Sequence, residues 1–299
     1  MRDTPAEPTM QHDRHEDPHR VAFAVAYRML GSVAEAEDVA QEVALRLTAE
    51  DGAVENPAAW ATTVATRLSI DVLRSARVRR ETYPGPWLPE PVLEDPGPGP
   101  AERVALADTI SQALLVALER LTPVERAAFL LREVFDYDYG RIAEIVDRSE
   151  DNARQLVSRA KRHVTAGRPR FDPDDEARDR LVGRFLAAVD GGDLRGLEDV
   201  LAEDVVLWGD GGGVVVAAKI PVHGAAAVAR FLVHTHPSRR GRADATFAPA
   251  RVNGQPGRIL RHGDGTVDAV FAFDVVDGRI AAIRVVRNPE KLRHLGATP

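Results

Sequence analysis

The sequence predicts a multidomain chain in which two all-α units, the second a helix-turn-helix, are followed by an α+β cone. Three observations predict it. From Thr122 to His163 two amphipathic helical patterns follow one another across a short turn. A proline-dense segment from Tyr83 to Pro100 sets these helices apart from those before them. Beyond an acidic stretch from Phe171 to Arg180 the pattern changes to helices followed by alternating strands.

Composition sets the outer limits. With 299 residues, 44% of them hydrophobic, the chain can form two or three compact units. Its formal charge of −7 hides basic residues gathered in stretches, so local charge is the better guide to partners. The absence of cysteine excludes a disulfide framework and thiolate metal sites, and fits a reducing cytoplasm. No signal peptide or bilayer-length apolar run is present, so a soluble cytoplasmic protein without membrane attachment is expected. No motif calls for a cofactor, a metal or a catalytic residue.

Residues 1 to about 17 are polar and charged, with His12, His15 and His19 scattered among acids and arginines, and are expected to form a disordered tail. A first all-α unit, 18–82, opens with an apolar-rich helix from Pro18 to Leu30 ended by Gly31. Ser32-Val33-Ala34-Glu35 then starts a helix with a capping box. It turns Ala36, Val39, Ala40, Val43 and Leu47 inward and leaves Glu37, Asp38, Gln41, Glu42 and Leu45 on or beside the other face. Such an acidic face can simply be solvated or can dock a basic protein partner. Asn56-Pro57 opens a third helix with Trp60, Val64 and Leu68 inward. Arg67, Arg74, Arg77, Arg79 and Arg80 accumulate toward its end, a composition that suits both the helix dipole and a phosphate backbone.

Residues 83–100 carry seven prolines, which no helix or central strand accommodates, so a linker stiffened toward polyproline II is expected. Trp87-Leu88-Pro89-Glu90-Pro91 is too apolar for an inert spacer, and the segment is expected to dock. The second unit, 101–168, resumes with a helix to about residue 121. Thr122-Pro123-Val124-Glu125 then carries a cap, a first-position proline and a capping box. Tyr139, Ile142, Ala143 and Val146 share one face of the next helix. After a turn without glycine, Ser149 caps a last helix with Glu150 and Asp151 in its first turn. Ala153, Leu156, Val157, Ala160 and Val164 form its buried stripe, and Arg154, Gln155, Ser158, Arg159 and Arg162 lie opposite. Those side chains suit phosphates and base edges in a major groove.

An acidic linker, 169–180, precedes the third unit, 181–299. Helices are expected at Leu181–Val189, Asp193–Leu201 and Ala225–Val233, with a short strand at Val205–Trp208. Asn253-Gly254, Asp264-Gly265 and Asp277-Gly278 mark turns between strands. By period two, Val267, Ala269, Phe271 and Phe273 share a face, as do Ile280, Ala282 and, less cleanly, Arg284. Helices followed by a curved meander predict a cone with an interior pocket able to take a small ligand. Asp210, His223, His234, Asp268 and Asp274 are the groups an enzyme of this shape could use, and each also suits a turn, cap or rim.

The order of these parts, with Ala36-Glu37-Asp38-Val39-Ala40-Gln41-Glu42-Val43 on a helix before an arginine-rich helix end, a linker and a helix-turn-helix, resembles an extracytoplasmic-function (ECF) RNA polymerase sigma factor. The resemblance implies that 18–82 is sigma region 2 and 101–168 is sigma region 4. It implies that Asp38, Gln41 and Glu42 face core RNA polymerase at the β′ clamp helices, with the β flap as a further contact. It places Arg67, Arg74, Arg77 and Arg80 near the −10 promoter DNA, and Arg154, Gln155, Ser158, Arg159 and Arg162 at the −35 element. The third unit is similar to the nuclear-transport-factor-2-like (NTF2-like), or SnoaL-like, fold. Together, Trp87-Leu88-Pro89-Glu90-Pro91, Asp210-Gly211-Gly212-Gly213 and Asn288-Pro289-Glu290-Lys291-Leu292 resemble signatures of the ECF41 sigma group. Val214 stands where that group has lysine and Glu290 where it has aspartate. In that group the fused domain is held to regulate the sigma units in cis, which assigns interdomain contacts to Trp87, Leu88, Pro89, Asp210, Gly211, Gly212, Gly213, Asn288, Pro289, Glu290, Lys291 and Leu292. The alternatives are a ligand-responsive helix-turn-helix regulator acting without polymerase, and a DNA-binding protein fused to an active isomerase or cyclase.

Overall fold

Capping chemistry sets the boundaries of the first helices. In the computed structural model, which describes residues 17–50, 54–93, 110–165, 175–236 and 244–296, α1 (Pro18–Leu30) starts behind Asp17, whose carboxylate accepts the His19 N–H, and stops at Gly31 in the left-handed region. Ser32 caps α2 (Val33–Ala49), and the Asn56 side chain accepts the Ala59 N–H at the start of α3 (Pro57–Glu81). Ala22, Ala26, Ala36, Ala40, Ala61 and Ala65 are fully buried. Small side chains at these positions let the three helices approach closely.

The second set comprises α4 (Gln112–Leu118), α5 (Pro123–Glu133), α6 (Tyr139–Val146) and α7 (Glu150–Thr165). The Thr122–Glu125 capping box forms with both of its hydrogen bonds. Between α6 and α7 the turn dispenses with glycine because Asp147 itself adopts the left-handed conformation, at φ 55°. Ser149 Oγ then accepts the Asn152 N–H at the head of α7. The two helical units share one apolar cluster that joins Val21 and Phe23 on α1 with Phe129, Leu130 and Ile142. A cation staples them. Arg126, only 2% exposed, donates to the carbonyls of Met29 at 2.7 Å and Leu118 at 3.0 Å and pairs with Glu119 at 2.8 Å.

In the third unit the first helix begins at Asp175 rather than Leu181, giving α8 (Asp175–Gly191), followed by α9 (Leu194–Val200) and α10 (Ala225–Thr235). The strands are β1 (Leu201–Asp210), β2 (Val222–His223), β3 (Thr246–Val252), β4 (Gln255–Arg261), β5 (Val267–Val276) and β6 (Arg279–Val286). They form a six-stranded sheet in the order β2-β1-β6-β5-β4-β3, among the described residues. The sheet is mixed: β1 runs parallel to β6, and the other neighbours are antiparallel. Both residues of the Asn253-Gly254 and Asp277-Gly278 turns have positive φ, the geometry of tight hairpins. A short helix, α11 (Pro289–Leu292), capped by Asn288, follows β6.

Both sheet faces are covered. One packs on α8, α9 and α10, with Phe185 edge-on to Phe273 at 5.3 Å. The other receives Leu88, Leu93, Val116 and Leu292. Two register irregularities correct the expected alternation. Leu260 pairs with Ala269 but Arg261 with Val267, so Asp268 is an extra residue on β5. Val267 therefore joins the linker-side cluster, while Ala269, Phe271 and Phe273 keep to the helix side. Likewise Asp274 pairs with Ala282 but Val275 with Ile280. Ile280 consequently packs with Ile283 and Val285, and Ala282 and Arg284 turn to the opposite face.

Phe185→Ala removes a ring buried to 1% exposure in the helix-side core. It is expected to lower the stability of the third unit by about 3–5 kcal/mol, read from the urea midpoint of that unit's unfolding transition.

Candidate functional site: an interdomain joint and two exposed faces

Asp210 ends β1 with its side chain fully buried. A buried carboxylate needs partners that replace water, and here they come from three distant stretches of chain. Tyr83 O–H donates to Oδ1, as does the Gly212 N–H at 3.0 Å. The Leu88 N–H donates to Oδ2 at 2.9 Å, and Lys291 Nζ lies 2.7 Å from the same oxygen. Lys291 also donates to the Leu88 carbonyl, so one ammonium joins the carboxylate to the linker backbone. Trp87 stacks over that ammonium, its ring centroid 4.1 Å from Nζ, and Tyr83 does so at 5.0 Å.

The glycine turn fits this site sterically. Gly212 and Gly213 have φ of 62° and 76°, and a Cβ on Gly213 would come 2.6 Å from Pro84 Cγ, while one on Gly212 would strike the Asn288 side chain. Asn288, 4% exposed, caps α11 through Glu290 N–H and donates to the Tyr83 hydroxyl at 3.0 Å. The Arg287 and Asn288 amides both donate to the Asp210 carbonyl, at 2.7 and 2.9 Å. Burial, together with Asp210, pushes the Tyr83 hydroxyl well above the usual phenol range, so it remains a donor.

A second cluster ties the linker to α1 and to the sheet. Tyr27 O–H donates to the Glu90 carbonyl at 2.7 Å and accepts from Asn253 Nδ2 at 2.7 Å. Burial raises the Tyr27 pKa far above its ordinary value, which keeps the proton on the oxygen. The Glu90 carboxylate accepts from Ser32 Oγ at 2.9 Å and from the Val33 N–H at 2.7 Å, adding a second cap to α2 across 57 residues of chain. Val92 and Asn253 exchange backbone and side-chain hydrogen bonds, and Leu93 bridges to Val252. The linker thus adds a short edge to the sheet.

The predicted contact residues occupy different positions within the joint. Leu88 is buried to 2% exposure, Pro89 is buried beside it, and Trp87 is partly exposed against Gly31. Asp210, Gly211, Asn288, Lys291 and Leu292 are buried, whereas Gly213, Val214, Pro289 and Glu290 are exposed and Gly212 lies between. Sequence reasoning assigned no role in the joint to Tyr27, Tyr83 or Glu90, and read Asn253 only as a turn residue. Glu90 lay inside the quoted linker motif, but a capping partner so distant in sequence has no spacing by which to find it.

On α2, Asp38 and Gln41 are exposed, Glu42 is partly buried and paired with Arg46 at 2.7 Å, and Leu45 is 68% exposed among them. On α7, Arg154, Gln155, Ser158, Arg159 and Arg162 are all exposed. Arg154 pairs with Glu150 and lies over the Tyr139 ring, and Arg159 reaches Glu125 at 3.7 Å. Arg67 is engaged elsewhere: its guanidinium donates to the Glu144 and Ile145 carbonyls of α6 at 2.9 and 3.1 Å. Arg141 returns a bond to Thr63 Oγ1 at 3.0 Å. Arg74 pairs with Asp71. The side chains of Arg77, Arg79 and Arg80 lie outside the described residues.

Three of the groups considered for an enzyme are carboxylates matched by cations: Asp210 by Lys291, Asp274 by Arg284 through two 2.7 Å bonds, and Asp268 by Arg287. His223 and His234 are exposed. Asp268 alone of the five lines the interior cavity of the third unit.

Comparison with known proteins matches these parts one by one. Residues 16–79 fit the Sigma-70 region 2 family model, 111–164 fit Sigma-70, region 4, and 182–283 fit the SnoaL-like domain. The chain is 38% identical over 277 residues to the ECF RNA polymerase sigma factor SigJ of Mycobacterium tuberculosis, covering 90% of this chain and 89% of that one. A probable ECF RNA polymerase sigma factor of the same organism, SigI, is 34% identical, with 91% of both chains covered. The crystal structure of M. tuberculosis SigJ superposes with a TM-score of 0.75 at 35% identity, covering 92% of this chain and 96% of that one. Two sigma regions packed together and bound through a linker to a SnoaL-like unit, with relatives of nearly equal length, place the chain in the ECF RNA polymerase sigma factors.

Proposed function

We propose that this sigma factor binds core RNA polymerase in the cytoplasm and directs it to promoters, and that its SnoaL-like domain regulates it in cis by holding the sigma regions closed. The observation that carries the regulatory part is the buried Asp210–Lys291 pair clasping the linker at Leu88. The Tyr27 hydroxyl extends the clasp to region 2.

The closed arrangement is incompatible with the DNA contacts that the family implies. Elements at −10 and −35 lie about 25 base pairs apart, or roughly 85 Å at about 3.4 Å per step. A compact body of about 150 residues has a radius of gyration of only about 15 Å. Regions 2 and 4 share one core here, and Arg67, assigned to the −10 DNA, is engaged with region 4 carbonyls. Engagement therefore requires region 4 to leave region 2. The acidic face of α2, with Asp38, Gln41, Glu42 and the apolar Leu45, is accessible in the closed form and offers the first contact to the β′ clamp helices. The α7 face, with Arg154, Gln155, Ser158, Arg159 and Arg162, is equally accessible to the −35 groove, and the β flap would receive region 4. The balance between closed and open forms sets how often productive binding occurs.

Asp210→Asn leaves the Lys291 ammonium buried without its counter-charge and is expected to weaken the joint by about 3 kcal/mol. Faster protease cleavage within residues 83–93 reports it, and adding Lys291→Met restores most of the protection. The same Asp210→Asn chain is expected to bind core polymerase, without DNA, at least fivefold more tightly than wild type. Equal affinities would remove the regulatory role of the joint, and failure of both chains to bind would remove the polymerase assignment. With polymerase bound, Arg154→Ala and Gln155→Ala should each cost about 1–3 kcal/mol on a cognate promoter and relax base preference within the −35 element, measured by competition with base-substituted promoters.

A further inference from the structure

The cavity of the SnoaL-like domain lies directly behind the joint. It measures about 120 Å³ and is walled by Phe185, Phe231, Phe247 and Phe271, with Asp268 and Arg287 as its charged pair. The extra residue in β5 is what turns Asp268 to this side of the sheet. Arg287 Nη2 holds both Asp268 oxygens, at 2.9 and 3.0 Å, and Nη1 donates to the Val216 carbonyl at 2.6 Å. His262 approaches the same carboxylate at 3.8 Å and Asp244 at 3.5 Å. The mouth opens beside Val216, which is 71% exposed although it lines the cavity.

We infer that this cavity is a binding site for a small single-ring molecule that carries a hydroxyl or amine donor, and that its occupancy loosens the joint; the second half rests on the regulatory role proposed above. Size and chemistry define the class. A cavity of about 150 Å³ lined by apolar side chains holds benzene, so this one, open at its mouth, takes one ring and not a fused pair. Aromatic walls favour an unsaturated or apolar ring. The charged feature is a carboxylate already neutralised by a guanidinium; the other polar side chains on the wall, Thr235 and His236, are engaged with the Phe231 carbonyl and Asp190. The carboxylate can accept one more hydrogen bond from a neutral donor, whereas an anionic ligand would face Asp268 with like charge.

The link to the joint is short, one residue and one backbone hydrogen bond. Arg287 lines the cavity through its side chain, and its own amide donates to the Asp210 carbonyl at 2.7 Å. Gly209, Ala217 and Ala218 line the cavity on the strand and loop that flank the glycine turn. A ligand hydroxyl that donates to Asp268 shares its charge and weakens its hold on Arg287, which also bonds the Val216 carbonyl beside β6. Movement there reaches Asp210 through the Arg287 amide and through Gly209, its neighbour on β1.

Phenol, toluene, benzoate and 2-naphthol, each added to the full-length chain and followed by NMR and calorimetry, test the inference. Phenol is expected to bind about tenfold more tightly than toluene, the margin of one hydrogen bond to a charged acceptor. Benzoate and 2-naphthol should bind more weakly than phenol. Absence of phenol binding up to millimolar concentration, or a preference for benzoate or 2-naphthol, overturns the assigned class. Ala269→Leu, which fills the cavity from β5, should abolish phenol binding while circular dichroism stays unchanged. Persistence of binding in that chain places the ligand elsewhere and overturns the site. At saturating phenol, protease cleavage within residues 83–93 should accelerate at least threefold; unchanged or slower cleavage overturns the coupling. That outcome is separable from the closed-state proposal, because the polymerase-binding comparison contains no phenol.

Discussion

A fully buried carboxylate is the constraint on which the arrangement of this chain depends. Asp210 is removed from water, and an unpaired charge in that position would cost more than the protein has to spare. Its oxygens are satisfied only when the glycine turn, the proline linker and the final short helix arrive together. The three signature segments are therefore parts of one electrostatic unit. Gly212 and Gly213 pack against Asn288 and Pro84 because a side chain would prevent the approach. Lysine at 291 supplies both the counter-charge and a donor to the linker backbone.

That unit ties the SnoaL-like domain mechanically to the sigma regions. The linker it grips runs directly to Glu90, whose carboxylate caps α2, and to Tyr27 in the core of region 2. The linker gripped at Leu88 thus reaches the start of the helix that carries the exposed acidic face. At the other end of region 2, Arg67 holds the carboxy-terminal carbonyls of α6, a favourable place for a cation at a helix end. The same guanidinium would be drawn to DNA phosphates. In the opening proposed above, the two forms would compete for that one guanidinium and so exclude one another.

The cavity and the joint share a wall because the sheet puts them there. β1 ends at Asp210 and β6 at Val286, side by side and parallel, so that Arg287 leaves the sheet beside the glycine turn. The extra residue at Asp268 rotates a carboxylate toward the interior and gives Arg287 an inward partner. Without that irregularity, strict alternation would point Asp268 to the opposite face.

The sequence by itself determined the helices, their caps, the proline break, the helix-turn-helix and the hairpin turns. Each of these depends on neighbours a few residues apart: Pro123 at a first helical position, Thr122 with Glu125, Asn253 with Gly254. The exposed faces of α2 and α7 were legible for the same reason, since helical periodicity fixes what lies opposite a buried stripe. Only tertiary structure decided that Glu90 caps α2, that Tyr27 meets Asn253, that Arg67 serves region 4, and that Val267 and Ala282 face away from their expected neighbours. These contacts join residues 57 to 226 positions apart or follow from a register shift on a neighbouring strand. Local patterning carries no information about either, because the partner of a buried polar group is chosen by the packing that removes water from both.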